Sequence, residues 1–177
     1  MRVAITGGPG VGKTTLVEAL ARLGFRTVSE SARDVIRERL ACGLTPRPDA
    51  ATFAREVLRR DIAKYRAAVA WRGPVFFDRT AVESLAMVHE ASSLSDKERD
   101  RVLSTCRFHS AALVLPPWRA IYVTDTERDQ TFQDAQRIDA RIRTCYREAG
   151  FSLLDVPSLP VQERAVFVLR SLGIADI

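Results

Sequence analysis

The segment Gly7-Gly8-Pro9-Gly10-Val11-Gly12-Lys13-Thr14 constrains this chain more than any other stretch. It fits Gly-x-x-x-x-Gly-Lys-Ser/Thr, the Walker A pattern, which would arise by chance in a chain this long roughly once in 200 sequences at average residue usage. An apolar run, Val3-Ala4-Ile5-Thr6, leads into it, and Leu16, Leu20 and Leu23 recur behind it at helical spacing until Gly24. The pattern predicts strand, tight loop and helix. Such a loop aims successive backbone N–H groups at phosphate oxygens, and glycine permits this because it accepts positive φ and leaves room for close approach. Lys13 falls in the first turn of the helix, where a cation opposes the macrodipole by about 0.3 to 1 kcal/mol unless an anion is bound there. The expected phosphate cradle is therefore Gly8, Pro9, Gly10, Val11, Gly12, Lys13, Thr14 and Thr15, with the Thr14 hydroxyl offered to Mg²⁺ and Lys13 neutralising charge on the transferred group.

Beyond the loop, strand and helix signals alternate. Phe25 to Ser29 is a predicted strand, Ser31 to Ala41 a helix, Gly43 to Pro48 a loop, and Asp49 to Ala70 a long arginine-rich helix. Val75-Phe76-Phe77-Asp78 is an uninterrupted apolar run of the kind buried on both faces of a parallel sheet. Thr80-x-x-Glu83 and Ser95-x-x-Glu98 are capping boxes that open the next two helices. A fourth strand is expected at Ala111 to Leu115, an irregular polar segment at Trp118 to Glu127, a helix from Arg128 to Ala149, a fifth strand at Phe151 to Val156 and a closing helix from Pro160 to Leu172. This alternation predicts one α/β domain over residues 1–177, a parallel sheet with helices on both faces.

In open α/β sheets ligands sit at the carboxyl ends of the strands, and two carboxylates stand there. Asp78 closes the third strand in the manner of a Walker B acid, and because Thr80 and Glu83 cap the following helix it is free to support Mg²⁺, in part through water. Glu30 follows the second strand in the same way and is a candidate to accept a proton from a substrate hydroxyl or to hold a substrate sugar. Arg79, beside Asp78, and Arg33 and Arg37, one helical turn apart, are candidates to meet substrate or phosphate. Residues of about 116–137 form a candidate lid, in which Arg128 could reach the γ-phosphate and Trp118 could stack on a planar ring. Arg137 and Arg141 are weaker candidates, equally explained as a solvated helix face. Val156 and Pro157, after the last strand, are candidates to touch the base. His89 and His109 have no metal-type partners in sequence and read as structural or exposed.

Composition narrows the classes further. Lys+Arg of 27 against Asp+Glu of 22 gives a net charge of +5, and 24 of the basic residues are arginine, which suits anionic partners or reflects coding bias. The basic residues are scattered and form no nucleic-acid module, which argues against end processing of nucleic acid. Cys42, Cys106 and Cys145 are widely spaced with no zinc pattern and read as reduced, semi-buried thiols. The longest uncharged apolar stretch, near Ala111 to Trp118, is far short of the roughly 20 residues of a membrane span, and no leader is readable ahead of the glycine loop. A cytoplasmic monomer or homodimer is expected.

With Gly-Gly-Pro-Gly-Val-Gly-Lys-Thr-Thr, Ser29-Glu30-Ser31-Ala32-Arg33, Phe76-Phe77-Asp78-Arg79, and Pro116-Pro117-Trp118 followed by Asp125-x-x-Arg128, the chain resembles, over nearly its whole length, the small P-loop ATPases known as AAA-type domain 28. The same landmarks are similar to the nicotinamide-riboside kinase domain of bifunctional NAD-biosynthesis regulators, and Asp78-Arg79 more distantly resembles the Asp-Arg pair of thymidylate and deoxynucleoside kinases. The resemblance implies a P-loop NTPase fold of nucleoside/nucleotide-kinase type with strand order 2-3-1-4-5 and a lid after the fourth strand. It also implies phosphate and Mg²⁺ binding by Lys13 and Thr14, metal support by Asp78, a substrate-side carboxylate at Glu30 and a lid arginine at Arg128. The chain departs from the nicotinamide-riboside kinases at Ser29, where they carry an aromatic residue.

These readings lead to a Mg-ATP-dependent kinase for a small hydroxyl-bearing metabolite: a nucleoside, a nucleotide or a ribosyl compound. The alternative is an ATP- or GTP-hydrolysing switch that acts through a protein partner. The chain has no asparagine and so lacks the Asn/Thr-Lys-x-Asp segment of Ras-like guanine recognition, although backbone groups could still read guanine.

Overall fold

The computed structural model describes residues 1–122 and 131–174. Five strands, β1 (Arg2–Thr6), β2 (Arg26–Val28), β3 (Val75–Asp78), β4 (Ala111–Val114) and β5 (Ser152–Asp155), form one parallel sheet in the order β2-β3-β1-β4-β5. The helices are α1 (Lys13–Arg22), α2 (Ser31–Ala41), α3 (Ala50–Ala68), α4 (Ala81–Ala91), α5 (Asp96–Thr105), α6 (Phe132–Glu148) and α7 (Val161–Ser171).

Strand alternation sorts the side chains into two cores. Val3 and Ile5 of β1 and Phe76 of β3 face α1 and α7, where they pack with Leu16, Leu20 and Leu169. Val75 and Phe77 point the opposite way, into a core with Leu58, Tyr65 and Leu85 from α3 and α4. Ala4 faces Val82 and Tyr146 on that same side. The two faces of β3 are therefore apolar at successive residues, which is why the run from Val75 to Phe77 shows no polar alternation. Among the described residues, no helix is long and apolar enough to cross a membrane.

The expected elements are present, with shifted ends. Leu23 is 55% exposed rather than part of the apolar stripe, because α1 ends at Arg22 and Gly24 turns the chain at φ 90°. Phe25 precedes β2 and packs edge-on against Phe76, with ring centroids 5.7 Å apart. The helix expected from Arg128 starts at Phe132, where Thr131 and Asp134 form a reciprocal capping box. At α4 the box of Thr80 and Glu83 forms as expected, whereas at α5 Ser95 Oγ accepts from the Glu98 N–H and only that half is made. Cys42 is exposed, contrary to the expectation of a semi-buried thiol, Cys106 is buried and Cys145 half-buried; all three are free.

Candidate functional site

The carboxyl ends of β1, β2 and β3 bring three pieces together. The first is the glycine loop. Gly12, at φ 81°, is the N-cap of α1, and Gly7, at φ 133°, passes so close to the chain just after β4 that a Cβ there would lie 2.3 Å from the Leu115 carbonyl oxygen. Lys13 is the first residue of α1 and is buried, and its Nζ donates to the carbonyls of Gly7 (3.0 Å) and Gly8 (2.7 Å). Burial, reinforced by the Arg79 charge, lowers its pKa to about 8. Of the other cradle residues, Pro9 and Gly10 border a large cavity, Val11 is buried beneath the loop and Thr15 is exposed.

The second piece is the end of β3. Thr14 Oγ1 donates to Asp78 Oδ2 at 3.1 Å, while Asp78 Oδ1 is buried without a hydrogen-bond partner among the described residues. Burial raises the Asp78 carboxyl above its ordinary pKa, against the pull of Lys13. An orphaned carboxylate oxygen beside a hydroxyl, next to a phosphate-type loop, fits the oxygen-ligand chemistry of Mg²⁺. Thr14 and Asp78 are the residues that would hold that ion.

The third piece is an ion-pair network centred on Arg79. Its φ of 66° is the sole positive value at a non-glycine among the described residues, strain of a kind that gathers at functional sites. The turn directs the guanidinium to Glu30, with Nε to Oε1 at 3.0 Å, and to Glu83, with Nη1 to Oε1 at 2.7 Å. Arg33 completes the set, its Nε 3.2 Å from the other Glu30 oxygen. Burial alone would raise the Glu30 pKa, but the charges of Arg79, Lys13 and Arg33 outweigh it and hold the carboxyl below its usual value. Glu30 is thus an ionised acceptor suited to orienting a hydroxyl rather than a strong base.

A cavity of about 670 Å³ opens from this network, bounded by Lys13 and Gly10 at one end, by Glu30, Arg33 and Arg79, and by Phe53, Val57 and Met87 along an apolar wall. Arg141 borders it and pairs with Glu90, whereas Arg37 and Arg137 are exposed, pair with Asp34 and Asp134, and are not in its lining.

One expected contact is corrected. Val156 is fully buried among Val11, Leu16 and Val168, so its side chain offers no surface to a base; Pro157 beside it is half-buried. Trp118 is outside the cavity lining and sits under the Arg164 guanidinium, 5.6 Å from the ring centroid, behind the glycine loop. Arg128 and Asp125 lie outside the described residues, as does the rest of the lid segment 123–130. His109 Nδ1 is 3.2 Å from the Ala111 N–H, a turn contact, and His89 is exposed.

Three residues escaped the sequence reading. Arg164 is buried, donates to the Val11 carbonyl at 3.4 Å and leaves its Nε without a partner among the described residues. Its signal was an arginine inside the apolar stripe Val161, Ala165, Val168. Asp61 lines the cavity, and its signal was a carboxylate at four-residue steps between Val57 and Tyr65, both buried. Glu83 was read as a cap alone, yet it also accepts from Thr6 and Arg79.

A family profile described as an AAA domain matches residues 2–164. No curated protein matches the sequence. Among solved structures, the deoxyadenosine kinase from M. mycoides with dCMP and dCDP bound superposes with a TM-score of 0.61 at 15% identity, covering 98% of both chains. The YorR protein from Bacillus subtilis, in complex with phosphorylated GDP, gives 0.60 at 12% identity, over 98% of this chain and 96% of that one. Shikimate kinase from Acinetobacter baumannii in complex with shikimate gives 0.57 at 15% identity, over 97% and 92%. At such identities the likeness is one of fold.

Proposed function

Because the chain belongs to the AAA domain family and folds like several P-loop kinases, we propose that it transfers the γ-phosphate of ATP to a hydroxyl of a small acceptor of the nucleoside or ribosyl class. The observation that carries this reading is a single cavity with the phosphate-type loop at one end and the Glu30–Arg79 pair on its wall. A regulatory hydrolase has no need of a roomy apolar chamber beside its phosphate site, whereas a kinase must seat a second substrate there.

In this mechanism the N–H groups of the glycine loop hold the triphosphate at the positive end of α1, and Lys13 exchanges its bonds to Gly7 and Gly8 for phosphate oxygens. Bound Mg²⁺, held by Thr14 and Asp78, would supply charge neutralisation on the β- and γ-phosphates. Glu30 accepts the hydrogen bond of the acceptor hydroxyl and fixes it in line, its low pKa costing little because phosphoryl transfer runs through a loose transition state in which the nucleophile needs little activation. Arg79, locked by Glu30 and Glu83, adds positive charge beside the transferred group. Arg128 is the proposed lid arginine.

The test is ADP formation from Mg-ATP across a panel of nucleosides, mononucleotides and nicotinamide riboside, with Lys13→Ala as the blank and product identified by mass. Acceptor-dependent turnover with a phosphorylated product is expected. A slow hydrolysis indifferent to every acceptor, yet lost in Lys13→Ala, would overturn the kinase reading in favour of a switch.

A further inference from the structure

The acceptor cavity has a polar patch in its otherwise apolar α3 wall. Asp61 lines the cavity between Val57 and Tyr65 on α3, and its Oδ2 accepts from Ser84 Oγ on α4. Ser31, the first residue of α2 and next to Glu30, lies against the same carboxyl. Ser31 is 1% exposed, and its buried Oγ makes no hydrogen bond among the described residues. The Ser84 hydroxyl takes Oδ2 of the Asp61 carboxyl. A buried hydroxyl left without a partner beside a carboxylate in a ligand-sized cavity costs free energy unless something else completes it. Neither belongs to the phosphate site or to the Arg79 network.

We propose that Asp61 and Ser31 read the edge of the acceptor, selecting a heteroaromatic ring that carries an amino group next to an unprotonated ring nitrogen. The inference rests on the reading of this cavity as the acceptor site. Ionised Asp61 only accepts, so it takes an N–H of the amino group, while the Ser31 hydroxyl donates to the adjacent ring nitrogen. Adenine and cytosine present that donor-acceptor pair on one edge. Keto bases present a carbonyl where the amino group would be, which would face the carboxylate and leave both unsatisfied. Phe53, Val57 and Met87 supply the apolar flank against which such a ring would pack. Glu30, one residue from Ser31, is then placed to meet a hydroxyl on the sugar.

The experiment measures binding, so that it does not depend on turnover. Dissociation constants of deoxyadenosine, deoxycytidine, deoxyinosine and thymidine are determined at pH 7.5 for the full chain, for Asp61→Asn and for Ser31→Ala. In the natural protein the two amino nucleosides are expected to bind at least about tenfold tighter than the keto ones, since a site built around hydrogen bonds rejects analogues that cannot make them. Asp61→Asn, which can turn an N–H₂ toward a carbonyl, should collapse or invert that preference, and Ser31→Ala should weaken the amino nucleosides alone. An unchanged preference in both variants, or no nucleoside binding by the natural protein, would overturn the proposal. Phosphorylation of some other acceptor would meanwhile leave the kinase reading standing, and loss of all acceptor-dependent transfer would remove that reading separately.

Discussion

Glu30 is the N-cap of α2 yet bonds none of that helix's free N–H groups. Its two oxygens go instead to Arg79 and Arg33. A carboxylate diverted from its local structural task toward two guanidiniums on a cavity wall has its geometry set by the site, not by the helix. Glu30→Gln keeps the shape and one acceptor oxygen but removes the charge that aligns Arg79. Acceptor phosphorylation is expected to fall by about 100-fold or more, in the range general acid–base and orienting groups contribute. Affinity for a non-hydrolysable ATP analogue, measured by calorimetry, should stay within about twofold, because the hydrogen bonds and ion pairs of Glu30 go to Arg79 and Arg33 and not to the glycine loop. Transfer that survives the change would remove Glu30 from the mechanism. This residue was legible in the sequence because it stands at a strand end with a separate helix start behind it. Asp61 was not, because its role depends on α2, α3 and α4 meeting around one cavity, and a single helix pattern carries no such information.

At the scale of elements, α4 shows how a cap can be tied to the core. Thr80 accepts from the Val82 N–H, Glu83 reaches back to the Thr80 N–H at 3.2 Å, and the Thr80 hydroxyl also meets the Tyr146 hydroxyl of α6 at 2.8 Å. Tyr146 is fully buried, so its hydroxyl relies on partners such as Thr80. Thr80→Val keeps the volume and deletes both bonds, and about 2 kcal/mol of stability should go with them. In a chain of this size the melting temperature should drop by about 4 to 8 °C, readable by circular dichroism. A drop below 1 °C would mean that water replaces the hydroxyl at no cost. The capping residues were readable because S/T-x-x-E is a local code. The Thr80–Tyr146 bond was not, since 66 positions separate its partners. The same distinction explains the termini of the elements: Gly24 and the Thr131–Asp134 box act locally, yet Leu23 looked like a core residue until α1 stopped one residue short of it.

For the whole molecule, the carboxylates whose titration is shifted fall into two groups that move stability in opposite directions with pH. Glu30, Asp34 and Glu56 are held low by arginine and lysine partners, Glu56 at about 2, so their contribution is present at neutral pH and is lost as pH falls through those values. Asp61 runs the other way. Burial raises its pKa from 3.8 to about 6, with the neighbouring Ser31 and Ser84 hydroxyls opposing, Glu83 on α4 adding to the rise and Lys64 on α3 reducing it. The folded state therefore holds this proton more tightly than the unfolded chain. Its favourable contribution is complete below pH 3.8 and is lost as pH climbs to about 6, a difference of about 3 kcal/mol at 1.36 kcal/mol per unit. Asp61→Asn removes the penalty while keeping an oxygen for Ser84. Denaturant titrations should show the variant more stable than the natural protein by up to about 3 kcal/mol at pH 7.5, with the gap closing toward pH 4. A gap of constant size would mean that packing, not ionisation, separates the two proteins. A carboxylate that destabilises the fold at neutral pH, in a wall where an apolar residue would serve packing better, is the pattern expected of a residue kept for what it binds.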